Sequence, residues 1–204
     1  MNVMTPMALT WSDTDRPGPA THLLLGIGCN KDRLRRLIEN VMRDERLLSL
    51  SERSESFDKL VLATDKASGC RLRLHRFDTQ FVDTPHNHRY SFWSLLLSGK
   101  YLHTIYGPGR DALRLPRGRL PVSSYAAFHA VGAVYGLHHS IVHTVTDVAP
   151  GTYSLMLRGP KAKIKDDLYK VDANGEPVAP EVPRPLTPAD IQAILSELST
   201  LGVV

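Results

Sequence analysis

Along residues 31–50 (KDRLRRLIENVMRDERLLSL), apolar positions recur at three- and four-residue steps. Leu34, Leu37, Ile38 and Met42 are separated by Arg, Asp and Glu. That is the period of an amphipathic helix whose apolar stripe packs on the rest of the fold. The period then drops to two. Residues 59–64 and 70–77 flank the turn-forming DKASG, the signature of a hairpin. In its second arm Cys70, Leu72 and Leu74 alternate with Arg71, Arg73 and His75, so this strand has one apolar and one cationic face. From about 82 to 160 the chain becomes short β-rich runs such as SFWSLLL, YLHTIY and TYSLMLR, punctuated by Gly and Pro. This spacing predicts a sandwich or barrel. Beyond Pro160 an extended, Pro-rich stretch carries Asn174-Gly175 as a turn. A last helix begins with Thr187 as N-cap, Pro188 at the first position and Asp190 in the first turn. Its apolar stripe is Ile191, Ile194, Leu195 and Leu198, and Gly202 follows its end. The expected class is mainly β, with helices at both ends.

Composition narrows this picture. The 204 residues fit one domain with extensions. These are a loose arm over 1–20, a barrel with a helical extension over 21–160, and a Pro-rich arm with a helix over 161–204. The formal net charge is +4, without any block of five like charges, which argues against a nucleic-acid tail. The excess is read as solubility plus a few cations aimed at an anionic ligand. Cys29 and Cys70 are far apart and form no Cys-x-x-Cys pair, which argues against a disulfide scaffold and a cysteine zinc cluster. No basic region and apolar run mark a signal peptide, and no stretch approaches the roughly 18 apolar residues of a membrane helix. A cytoplasmic location, a small-molecule substrate, and no nucleic-acid or membrane partner are the expectations. The Gly26-x-Gly28 pair lacks the third glycine of a nucleotide-binding fingerprint and is discounted.

The chemistry concentrates in His86-Asn87-His88. On a strand, side chains two apart project from one face, so both imidazoles can grip one ion at about 2.0–2.1 Å. Downstream spacing strengthens this. His88 is followed by three residues, Phe92, six residues and Gly99. Later come Gly132, five residues, His138-His139-Ser140, two residues, His143, three residues and Asp147. Over about residues 70–160 this pattern resembles the two motifs of the cupin superfamily. Gln80 replaces the first motif's leading glycine, Phe92 its glutamate, and His138 and Ser140 the Pro and Gly of the second motif. The resemblance implies a double-stranded β-helix, or jelly-roll barrel, holding one divalent metal ion through His86, His88 and His143. His139 and His138 remain rivals for the third position. It also makes a homodimer the assembly to look for.

Phe92 cannot ligate a metal. Three neutral imidazoles leave a divalent ion its full charge, which favours an anionic, chelating substrate. Such donors suit Fe, Zn, Cu and Ni rather than Mg or Ca. A three-His cupin is similar to the thiol dioxygenases, the cysteine dioxygenase group, which bind Fe(II) through three His and insert both oxygens of O₂ into a thiol sulfur. That group's late-strand Ser-x-His-x-Tyr reads Ser154-Leu155-Met156-Leu157-Arg158 here, and only the Ser survives. Its substrate-carboxylate Arg falls near Lys59. The resemblance implies an Fe(II)-dependent oxygenase acting on a small amino-acid-like anion. A redox-silent Zn(II) enzyme for isomerisation, cyclisation or heteroatom bond formation is the alternative, and a non-catalytic binding protein a third. Arg158 is the expected carboxylate partner, with Lys59, Arg71, Arg73 and Arg76 behind it. Met156 and Phe92 would form an apolar wall. Tyr90 either donates its hydroxyl to a bound ligand or packs as an aromatic. His103 either lines the cavity or is a hydrogen-bonded core residue. His22, His75 and His129 are expected to be structural or exposed.

Overall fold

The amphipathic stretch 31–50 forms two helices instead of one. In the computed structural model, which describes residues 18–54, 57–79, 83–108, 123–164 and 182–204, they are α2 (Lys31–Val41) and α3 (Glu45–Ser49). The break follows from Asp44, whose carboxylate accepts the backbone N–H groups of Arg46 and Leu47 and so caps a new helix. Ahead of them lies α1 (Gly18–Gly28), which takes in residues 18–20 of the expected loose arm; residues 1–17 lie outside the described residues. The discounted Gly-x-Gly closes this helix. A Cβ at Gly28 would meet Leu95 and Leu97, so that glycine serves close packing.

Ten strands follow: β1 (Glu52–Arg53), β2 (Phe57–Thr64), β3 (Arg71–Phe77), β4 (Phe92–Ser98), β5 (Lys100–Pro108), β6 (Tyr125–Ala130), β7 (Val134–Leu137), β8 (Ile141–Thr146), β9 (Thr152–Arg158) and β10 (Arg184–Pro185). Helix α4 (Pro188–Thr200) ends the series. A seven-stranded sheet runs β10-β1-β2-β3-β9-β4-β7, and a three-stranded sheet runs β6-β5-β8. Every ladder is antiparallel. The fold is mainly β, two antiparallel sheets with helices at both ends, as expected. Two motif positions show why the spacing matters. Gly99 sits at φ 73° in the β4–β5 turn, where a Cβ would lie 2.7 Å from the Thr152 Cα. Asp147, just past β8, takes φ 50°, a conformation Asp tolerates better than most residues.

The helices cover one face of the large sheet. Leu72, Leu74, Tyr153, Leu155 and Leu157 pack there with Leu24, Ile27, Leu34, Ile38, Ile191 and Leu198. Helix α4 has its expected capping box, Thr187 with Asp190. Asp190 also accepts from Arg53, which in turn grips the buried Asp58 of β2 with two bonds of 2.6 and 2.7 Å. Arg76 belongs to this face too, bonded to Glu197 at 2.8 Å, and so leaves the set of anion-binding candidates. The Asn174-Gly175 turn lies outside the described residues. No helix among the described residues is long and apolar enough to cross a membrane.

Candidate metal centre

His86 and His88 precede β4 in an irregular segment, where a strand was expected. Only His86 is paired, in a single bridge to His143 of β8. The two residues exchange both backbone hydrogen bonds, at 3.0 and 2.9 Å. Proline at 85 has no N–H to extend that ladder. The bridge is enough to set His86 beside His143, and His88 returns to the same side two residues on. The ring centroids lie 4.6 Å apart for His86–His88, 4.6 Å for His86–His143 and 5.0 Å for His88–His143. One candidate ligand atom from each falls within 4.8 Å of the others.

His88 Nε2 and His143 Nε2 are 2.8 Å apart, a hydrogen-bond contact in which one nitrogen donates and the other accepts. His86 Nδ1 lies 2.8 Å from the Thr84 carbonyl and 3.2 Å from Asp83 Oδ1. A carbonyl only accepts, so His86 carries its proton on Nδ1 and presents a lone pair at Nε2. Backing of this kind orients metal-binding histidines. Asp83 is itself held, since its Oδ2 accepts the Val145 N–H at 2.9 Å. His143 Nδ1 faces His103 Nε2 at 2.9 Å. Loss of hydration, reinforced by neighbouring His86, holds His88 and His143 well below the usual histidine range. His103 is pushed down to about 4, by burial first and His129 second. His88, His143 and His103 are therefore neutral at physiological pH, and neutral imidazole is the form in which His88 and His143 could ligate.

The cluster borders a cavity of about 330 Å³ between the sheets. Phe92 meets His88 edge-on at 5.0 Å and, with Met156, forms an apolar part of the wall. The cationic face of β3 turns into this interior, not toward solvent. Arg73 lines the cavity and donates from Nη1 to Tyr90 Oη at 2.9 Å, while its Nε is buried with no hydrogen-bond partner among the described residues. Tyr90 also lines the cavity and stacks on His88, with centroids 5.6 Å apart. Arg158 stands just outside the lining. Its Cζ lies 4.8 Å from the Tyr90 ring centroid, its Nη1 donates to the Gly159 carbonyl, and its Nε is unpartnered. Arg71 and Phe92 flank Arg158 in register on β3 and β4. Burial, then Arg73 and Arg71, push the Arg158 guanidinium down to about 10, still cationic at neutral pH. No carboxylate pairs with Arg71, Arg73 or Arg158 among the described residues. Lys59 also lines the cavity, paired with Glu52 at 2.7 Å.

Of the rivals for the third position, neither joins the cluster. His138 is exposed and bonds Ser140 at 2.9 Å, and His139 lies 3.3 Å from Ser91 Oγ. His22 is exposed on α1. The sequence missed two histidines. His75 is buried in the cavity wall, edge-on to Phe57, with Nε2 unpartnered. Its parity with Arg73 on β3 was the available signal. His129 touches His103, a contact that depends on strand register and left no mark in the sequence.

No family model and no curated protein matches the chain. Among solved structures, the chain is similar to KdgF from a Halomonas species, with 13% identity, a TM-score of 0.41, and 54% of this chain covering 87% of that one. An RmlC-like cupin from Shewanella frigidimarina gives 14%, 0.39, 54% and 82%. The hydroxypropylphosphonic acid epoxidase from S. wedmorenis gives 14%, 0.39, 52% and 51%. Values this low fix neither metal nor reaction, which must be read from the side chains. Those side chains form a three-histidine group able to hold one metal ion, at the edge of a cavity between two antiparallel sheets.

Proposed function

We propose that this protein is a mononuclear metal-dependent enzyme, with Fe(II) held by His86, His88 and His143, that oxygenates a small amino-acid-like anion. The observation that carries this reading is the convergence of three imidazoles, two with their rear nitrogens engaged, beside a cavity lined in part by cationic side chains. Ferrous iron in such a site supplies the activation of O₂. The chain's own part is recognition and orientation. Among the described residues Arg73 and Arg158 have no carboxylate partner, and each has a buried Nε without a hydrogen-bond partner. A substrate carboxylate would satisfy both the charge and those donors. The Tyr90 hydroxyl, already accepting from Arg73, is placed to donate its own proton to the same group. Phe92 and Met156 add apolar surface to the same cavity. Because the late strand offers Ser154, Met156 and Arg158 in place of the thiol dioxygenase triad, the substrate class proposed is the anion and not specifically the thiol.

The donor set suits zinc as well as iron. Under the second reading, the ion acts as a Lewis acid without O₂. Elemental analysis of protein purified without added metal, followed by O₂-uptake assays with a panel of small amino and thiol carboxylates, separates the two. Iron with substrate-dependent uptake supports the oxygenase. Zinc without uptake, together with conversion of a substrate, assigns the Lewis-acid role. A ligand recovered unchanged from either form would overturn both in favour of a binding protein.

A further inference from the structure

Three histidines run diagonally across the inner face of the small sheet. His143 on β8 pairs with Ile105 of β5, two residues beyond His103, and His103 pairs with Ala127 of β6, two residues before His129. Each step of two keeps the side chains on one face. The ring nitrogens meet in sequence: His143 Nδ1 to His103 Nε2 at 2.9 Å, then His103 Nδ1 to His129 Nε2 at 3.2 Å. Tyr135 of β7 packs against the His103 and His129 rings, with centroids 4.7 Å from each, and its hydroxyl is bonded to Tyr101 at 2.8 Å.

A chain of neutral imidazoles has only two self-consistent polarities. In one, every ring donates from Nδ1 to the Nε2 of the next, and His143 Nε2 is a bare lone pair facing His86 and His88. In the other, every proton is shifted and His143 aims an N–H at the place where an ion would sit. We propose that His103, steadied by His129, is a positioning residue that accepts the Nδ1 proton of His143 and thereby fixes its Nε2 as a metal-facing lone pair. This rests on the metal reading above. It assigns a role to two histidines on strands that carry no motif, and it makes ligand orientation a property of the small sheet's register.

The test uses the full chain with Co(II) as the probe. In metal-free wild-type protein, imidazole ¹⁵N NMR should show His143, His103 and His129 all as Nδ1–H tautomers. His103→Leu removes the acceptor, and Co(II) affinity, measured by competition titration, should fall about 10–100-fold. His103→Gln, whose Oε1 can take the place of Nε2, should recover most of that loss. A His143 proton on Nε2 in the wild type would overturn the proposal, and that result needs no variant to fold. So would Co(II) binding by folded His103→Leu as tight as wild type, or equal losses in the Leu and Gln variants. Failure of the wild-type protein to bind Co(II) at all would instead remove the metal reading beneath it.

Discussion

On β9, Tyr153, Leu155 and Leu157 point into the helices, while Ser154, Met156 and Arg158, one residue out of phase, point toward the cavity side. The neighbouring β3 repeats the arrangement with Leu72 and Leu74 against Arg73 and His75. One backbone thus carries two unlike surfaces. The helix side is aliphatic, its residues almost without exposure, its charges paired as in Arg76–Glu197. The cavity side holds guanidinium groups without a carboxylate partner and a buried histidine without a partner for Nε2, among the described residues. The second surface costs stability that the first supplies, and a pattern of that kind is expected where function, not packing, selects the residues.

The largest expected effect is on the helix side. Leu155→Ala should destabilise the protein by about 2–5 kcal/mol in denaturant unfolding, because a fully buried leucine leaves a cavity behind. Metal stoichiometry of the folded protein should not change. A loss of metal in proportion to stability would erase the distinction between the faces. The cavity side should answer in the opposite sense. Arg73→Met removes a half-buried charge that has no carboxylate partner among the described residues, so stability should hold or rise. Binding of a small amino carboxylate to Co(II)-loaded protein, followed by titration calorimetry, should weaken about tenfold to a hundredfold, the value of a charged hydrogen bond of about 1.5–3 kcal/mol. Arg158→Met should behave alike with a smaller loss, since Arg158 stands behind Tyr90 and outside the lining. Unchanged binding in both variants would return these arginines to a structural role.

The smallest effect is a pH dependence. Burial lowers the folded-state pKa of His75, His88 and His143 well below the ordinary 6.5, and that of His103 to about 4. The unfolded chain therefore takes up these protons first. Stability of the metal-free protein is full above about pH 6.5 and declines as pH falls below it. His75→Phe should flatten part of the decline, because it removes one such group without touching the metal cluster. A midpoint independent of pH from 7.5 to 5 would show that these rings are hydrated.

Much of this was legible in the sequence where spacing alone encodes it. The hairpin around DKASG, the β-rich run, the N-cap at Thr187 and the pair His86 and His88 depend on local order along the chain, whereas His143, 55 residues beyond His88, was reached through the motif resemblance. Alternation revealed that β3 has a cationic face but could not say which face the helices cover, and so Arg73 and His75 were not placed in the cavity. The break at Asp44 was hidden because the apolar stripe continues across it to Leu47. The backing of His143 by His103 and His129 was invisible for a different reason: it exists only after β5, β6 and β8 have paired in register.

The central claim is that His86, His88 and His143 together hold one ion. Metal content per chain, measured after loading with one divalent metal and removing the excess, tests it across four single variants. The account predicts about one equivalent in the wild type and in His139→Ala, and little or none in His86→Ala, His88→Ala and His143→Ala. A full equivalent retained by folded His143→Ala would contradict it.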